Sequence, residues 1–140
     1  MSEMDEPKWL DDDDDLSAQE LEYFRARLTE EQGLITERLR AHRNAVTQAG
    51  EASTGDSVDI ATQMSEYNYS VQRIEQDERR LREINAALAK FGSHDYGICE
   101  GTGELIRRRR LRSRPWVRYS LEYQEELELE QSRARRLGSS

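Results

Sequence analysis

Apolar residues recur along the first two thirds of this chain at steps of three, four and seven, the spacing of one face of an α-helix. Leu21, Phe24, Leu28, Ile35, Leu39 and Val46 form one stripe, and Met64, Val71, Ile74, Leu81, Ile84, Leu88 and Phe91 form a second. Gly50 and Gly55 break the pattern between them. Ser17 followed by Glu20 is a capping-box pair that sets the start of the first helix, and Gly92 ends the second. Both stripes are narrow, which suits a coiled-coil seam, and the short connection makes the two helices antiparallel neighbours. Arms of roughly 30 to 35 residues reach about 45 to 50 Å, so the turn is carried far from the rest of the chain. Glu31 and His42 fall on or beside the first stripe and weaken the seam. His42 has no second metal ligand at helical spacing and reads as a partly exposed seam residue. The outer faces hold Glu37, Arg38, Arg40 and Arg43 on one arm and Glu75, Asp77, Glu78, Arg79, Arg80, Arg82 and Glu83 on the other, a solvated surface with weak i,i+4 pairs.

At the turn stands Asp56-Ser-Val-Asp59-Ile-Ala61. Two readings apply to its carboxylates. Asp56 is placed to cap the second helix and Asp59 to meet its positive dipole end, which needs nothing more than an acid at a helix start. Alternatively, the pair is a functional tip presented at the end of a rod.

After Gly92 the texture changes to Tyr96-Gly-Ile-Cys99-Glu-Gly-Thr102-Gly-Glu-Leu-Ile, too rich in glycine to continue a helix, and a compact loop module is expected through Pro115. A last helix begins near Ser120 and ends by Gly138. Seven arginines and no acid lie between Leu105 and Arg118. Nucleic acid is one reading of that run, but the aromatic interleaving of a single-strand platform is nearly absent, with Trp116 alone inside it. Glu122, Glu125, Glu126, Glu128 and Glu130 on the last helix favour intramolecular ion pairs together with contacts to a protein partner.

Composition narrows the class. With 35% hydrophobic and 36% charged residues among 140, the chain cannot bury a large globular core, and its helix-favouring residues make the fold class mostly α. Of the formal charge of −8, residues 1–16 supply −7, through eight acids against Lys8. The run Asp11 to Asp15 repels itself and is expected to be a solvated, disordered tail, with a basic partner surface as the other reading. No apolar stretch is long enough to span a bilayer, and a single cysteine with an acidic N-terminus points to a soluble cytoplasmic protein. No nucleophile, base and oxyanion donor converge, which argues against an enzyme.

The motif Tyr-Gly-Ile-Cys-Glu-x-Thr-Gly-Glu-x-Ile, then Arg-Arg-Leu and Arg-Pro, following a hairpin with Asp-x-x-Asp-x-Ala at its tip, resembles the DksA/TraR family of transcription factors. The resemblance runs from about Leu16 to Leu137. Composition, periodicity and the resemblance together divide the chain into an acidic tail (1–16), an antiparallel coiled coil (17–91) with its tip at 50–61, a zinc-finger-like head (92–119) and a C-terminal helix and tail (120–140). In that family four cysteines spaced C-x2-C-x17-C-x2-C hold a zinc. Here the spacing survives and the ligands do not: the positions are Cys99, Thr102, Ser120 and Tyr123. Neutral hydroxyls are poor zinc ligands, so a zinc-independent member is expected, with Tyr96, Ile98, Leu105, Ile106, Trp116, Tyr119 and Tyr123 as a substitute core worth roughly 1.5 to 3 kcal/mol per large side chain. Trp116 is expected to be buried beside Tyr96 or Tyr123. Cys99 reads as a semi-buried relic or, since the family includes thiol-responsive members, as a redox sensor that would need an external thiol.

The resemblance further implies a monomer that binds core RNA polymerase through its secondary channel, with Asp56, Asp59 and Ala61 approaching the active centre and altering open-complex stability, and with no base sequence read. It implies ppGpp as a co-effector in the stringent response, at positions that correspond here to Gln76, Arg80, Glu83 and Gln124. Two family lysines are thus absent and Glu83 would repel a polyphosphate, though Arg79 and Arg82 are placed to compensate. Arg79, Arg80, Arg82, Arg109, Arg110 and Arg114 are the candidate contacts to ppGpp or polymerase. A non-enzymatic coiled-coil adaptor for another protein is the alternative class.

Overall fold

A computed structural model describes residues 6–51 and 57–138. Its helices are α1 (Ala18–Glu51), α2 (Ser57–Gly92), α3 (Arg108–Ser113) and α4 (Leu121–Gly138). The mostly α class expected from the apolar periodicity is the one found, and the described residues add one isolated antiparallel bridge, Ile98 with Leu105. The chain packs as two compact units, Thr29–Asn85 and Met1–Leu28 with Ala86–Ser140.

In the Thr29–Asn85 unit, α1 and α2 run antiparallel. Gln32 Nε2 donates to Asn85 Oδ1 at 2.7 Å, Arg38 meets Asp77, and Arg43 Nη2 lies 3.3 Å from Glu78 Oε1. Ile35, Leu39 and Ile84 are buried in the seam, while Glu31 and His42 are half-buried, as their stripe positions require. The seam thins toward the start of α2, where Ile60, Met64, Tyr67 and Tyr69 are exposed. Met64, expected on the seam, is therefore not covered, and a second expectation is overturned as well. Asp77, assigned to the outer face, is buried, because it stands three residues after Ile74 and four before Leu81 on the same stripe. Arg38 makes that burial tolerable with two hydrogen bonds, Nη2 to Oδ1 at 2.8 Å and Nε to Oδ2 at 3.2 Å. Those bonds hold the Asp77 carboxyl below its ordinary range against the opposing effect of burial.

The other unit has a different kind of core. Phe24, Leu28, Ala87, Tyr96, Cys99, Ile106, Leu111 and Pro115 are buried. Tyr96 is the centre: its ring stacks on Phe91 at 4.3 Å and lies 5.7 Å from Phe24, and its hydroxyl donates to the Pro115 carbonyl at 2.8 Å. Of the substitute core expected from sequence, Tyr96 and Ile106 are buried, but Ile98, Leu105, Trp116, Tyr119 and Tyr123 are only half-buried. Pro115 takes the interior place assigned to Trp116, and the helical residues Phe24, Leu28 and Leu111 supply most of the remaining apolar volume.

Two further differences concern backbone. Residues 108–113 form a helix where a loop was expected; Leu111 alone is apolar there, too little pattern to reveal a helix from sequence. In the described part of the acidic tail, residues 6–16, Asp11 to Asp15 are exposed, as expected of a solvated run, but the segment is ordered and anchored to the head through Pro7, Trp9 and Leu16. Trp9 lies against Tyr23 and Phe24 at 5.1 and 5.5 Å, Pro7 is buried, and the Arg112 guanidinium sits 4.5 Å over the Trp9 ring. Asp12 Oδ1 accepts from the backbone N–H of Arg108 at 2.8 Å, at a helix start whose unpaired donors favour negative charge.

Candidate functional site

The tip motif is described from its second carboxylate onward. Asp59 lies in the first turn of α2 and is exposed, as is Ala61; Asp56 is outside the described residues. On the same helix Gln76, Arg79 and Arg82 are exposed, and Arg80 is held by Glu83, with Nε 3.3 Å from Oε1. A groove of about 240 Å³ beside the seam is lined by Leu39, Arg43, Glu78, Leu81, Arg82 and Asn85.

The head displays the C-x2-C frame without its ligands. The chain folds back on itself through Ile106 N–H to Gly97 O at 2.8 Å, Cys99 N–H to Glu104 O at 2.8 Å and Gly103 N–H to Cys99 O at 2.9 Å. Gly97 permits this turn: its φ is 86°, and a methyl group there would stand 2.6 Å from Leu16 Cδ1. Burial opposes ionisation of the Cys99 thiol, but the Thr102 hydroxyl and the backbone N–H groups of Ser120, Thr102 and Gly101 outweigh it and bring the thiol down to about 7. Tyr123 lies flat against bare backbone, since a methyl at Gly101 would fall 2.2 Å from its Cζ. Zinc needs thiolate, imidazole or carboxylate donors converging tetrahedrally. One thiol already engaged by hydrogen bonds, two hydroxyls and a phenol whose ring packs on Gly101 do not fit that requirement.

The arginine run divides by partner. Arg107 lies 3.8 Å from Glu122, Arg112 3.5 Å from Glu6, and Arg118 2.9 Å from Glu100, while Arg110 Nε donates to the Tyr119 carbonyl at 2.9 Å. Intramolecular pairing therefore accounts for much of the run, but of the α4 acids expected to supply it Glu122 alone does so among these pairs, and the others come from Glu6, Glu20 and Glu100. Arg109 and Arg114 are exposed. With Arg110 they line a groove of about 780 Å³ between α3 and α4, where Gln124, Thr102 and Ser120 also stand and where Glu104, Glu122, Glu125 and Glu128 set negative charge against the arginines. The structure thus brings Arg109, Arg110, Arg114 and Gln124 to one place.

Arg108 was not separable from its neighbours by sequence, yet it is the buried member of the run. Its Nε and Nη2 donate to Glu20 Oε2 and Oε1 at 3.1 and 3.0 Å, its Nη2 also donates to Asp15 O at 3.1 Å, and its Nη1 donates to Asp14 O. Glu20 belongs to the expected capping box, which forms in both directions: Ser17 N–H to Glu20 Oε1 at 2.9 Å and Glu20 N–H to Ser17 Oγ at 3.1 Å. Leu10 N–H donates to Glu20 Oε2 as well, at 3.2 Å. Burial pushes the Glu20 carboxyl up, but Arg108 and the backbone donors of Ser17 and Leu10 prevail and hold it at about 2.

Residues 94–128 match a family model described as the prokaryotic dksA/traR C4-type zinc finger. An uncharacterized protein of Aquifex aeolicus is 37% identical over 113 residues, covering 79% of this chain and 77% of its relative. The RNA polymerase-binding transcription factor DksA of Caulobacter vibrioides is 29% identical over 117 residues, 82% of this chain and 80% of that one. Among solved structures, transcription factor DksA2 from Pseudomonas aeruginosa matches with a TM-score of 0.69 at 25% identity, over 79% of this chain and 84% of the other. No helix among the described residues is long and apolar enough to cross a membrane.

Proposed function

We propose, because this chain belongs to the DksA/TraR family, that it regulates transcription initiation by binding RNA polymerase directly. It acts as a cytoplasmic monomer, not as an enzyme, and reads no base sequence. The hairpin enters the polymerase secondary channel, and Asp56, Asp59 and Ala61 approach the active centre and alter open-complex stability. The observation that carries this reading is Asp59, an exposed carboxylate in the first turn of α2 in a chain of this family. An exposed carboxylate in that place attracts basic groups or catalytic magnesium of a partner.

The stringent response is the setting, with ppGpp as a co-effector of reduced weight. Arg80 is already engaged by Glu83, and Glu83 adds negative charge where a polyphosphate would bind. Arg79 and Arg82 on α2, and Arg109, Arg110 and Arg114 in the head groove, are the proposed contacts for ppGpp or for polymerase, with the groove's glutamates favouring a protein surface over a polyphosphate there. Purified core RNA polymerase tests the proposal. Stoichiometric co-elution with the full chain is expected, and an adaptor for some other protein would show none.

A further inference from the structure

We propose that the head of this chain is a finger without a metal, fastened by two ionic knots: Glu100 with Lys90 and Arg118, and Arg108 with Glu20 and the N-terminal segment. A zinc in the C-x2-C frame would tie residues 99–102 to residues 120–123. With the donors unsuited to that task, something else must join the same stretches, because a small head without a metal or a disulfide has little core to hold its loops.

Glu100 stands inside the first half of the frame and makes that join. Its backbone N–H donates to Arg118 O at 2.9 Å, two residues before the second half of the frame begins. Its carboxylate accepts from Arg118 Nη2 and Nε at 2.9 and 3.1 Å, and Lys90 Nζ adds a third bond at 2.7 Å. The last turn of α2, the knuckle and the approach to α4 therefore meet at one carboxylate. Two-point arginine pairing fixes direction as well as distance, which is the part of a metal's role that a single contact cannot supply.

Arg108 does for the other side of the head what an oxygen-ligated cation would do. Four oxygens from two stretches of chain surround its guanidinium: both from Glu20 at the start of α1, and the carbonyls of Asp14 and Asp15 from the N-terminal segment. The pair is sealed, with side chains 6% and 0% exposed. Each knot replaces coordination by charge-assisted hydrogen bonds, so a chelator has nothing to remove, whereas a change to one carboxylate or one guanidinium unties it.

The test uses the full chain, with near-ultraviolet circular dichroism melts and limited proteolysis of the head, with and without EDTA. EDTA is expected to leave the wild-type melt unchanged. Glu100→Gln, and Arg108→Lys, which keeps the charge and loses the fork, are each expected to lower the midpoint by at least about 4 °C, the shift that about 1 kcal/mol produces in a unit of this size, and to speed cleavage within residues 92–119. Thr102→Cys, Ser120→Cys and Tyr123→Cys together, added to Glu100→Gln, are expected to bind zinc and restore the midpoint in a chelator-sensitive way. Stoichiometric zinc in the wild type, an EDTA-dependent wild-type melt, unchanged melts in Glu100→Gln and Arg108→Lys, or zinc binding without rescue would each overturn the proposal. These readouts involve no polymerase, so they succeed or fail independently of the function proposed above.

Discussion

Arg38–Asp77 in the hairpin and Arg108–Glu20 in the head are both two-point arginine–carboxylate pairs, but solvent reaches them differently. Arg38 is 45% exposed over an Asp77 side chain at 5%, whereas Arg108 and Glu20 are 6% and 0%. In the hairpin, an arginine reaches in from the surface to satisfy one acid on an apolar stripe. The head instead closes around its pair, which collects the N-terminal segment, α1 and α3 at one point. A charge that can regain water when its partner is lost costs little, and a charge that cannot is expensive to orphan.

The largest expected effect follows from that contrast. Arg108→Met should destabilise the head by about 3 to 5 kcal/mol in denaturant titrations, since Glu20 is left buried without its cation. Adding Glu20→Gln to Arg108→Met should recover part of the loss, because the orphaned charge goes with it. Acid probes the same pair without mutation. The folded Glu20 carboxyl sits at about 2, below its ordinary 4.5, so its contribution is complete above 4.5 and is lost as pH falls from 4.5 toward 2. The head melt of the wild type should fall through that window, and that of Glu20→Gln should fall less. Arg38→Ala in the hairpin should cost only about 1 kcal/mol, because Asp77 gains access to water as the arginine leaves. Equal costs for Arg38→Ala and Arg108→Met would remove the distinction between the two regions.

The same two regions differ in how much of each was legible in sequence. The hairpin is written locally: steps of three, four and seven give the seam, and Ser17 with Glu20 gives its start. Two residues depart from that pattern: Asp77, a carboxylate whose stripe position points inward, is buried, and Met64, a stripe residue near the start of α2, is exposed. The head is written across the chain. Arg108 and Glu20 are 88 residues apart in sequence, and Arg108 and Asp12 are 96 apart, against 39 for Arg38 and Asp77. Nothing in a run of four arginines marks the second as the buried one, and nothing in five aspartates marks Asp12 as the acceptor of the first N–H of α3, far along the chain. Size favours Trp116 for the interior, yet the smaller Pro115 fits beneath the Tyr96 hydroxyl that bonds its carbonyl. The degenerate ligand positions, by contrast, could be read directly, since their spacing survived the loss of the cysteines.

Asp59→Asn has the smallest expected effect on stability, below about 1 kcal/mol, because amide and carboxylate both suit a helix start. It is nonetheless the most direct test of the proposed function. Binding of this variant to core RNA polymerase and the lifetime of open complexes at a sensitive promoter should be measured side by side with the wild type. Near-normal affinity with loss of the effect on lifetime is the expected result. Unchanged regulation by Asp59→Asn would contradict a role for the tip carboxylate and leave Asp59 as a residue that only favours the start of α2.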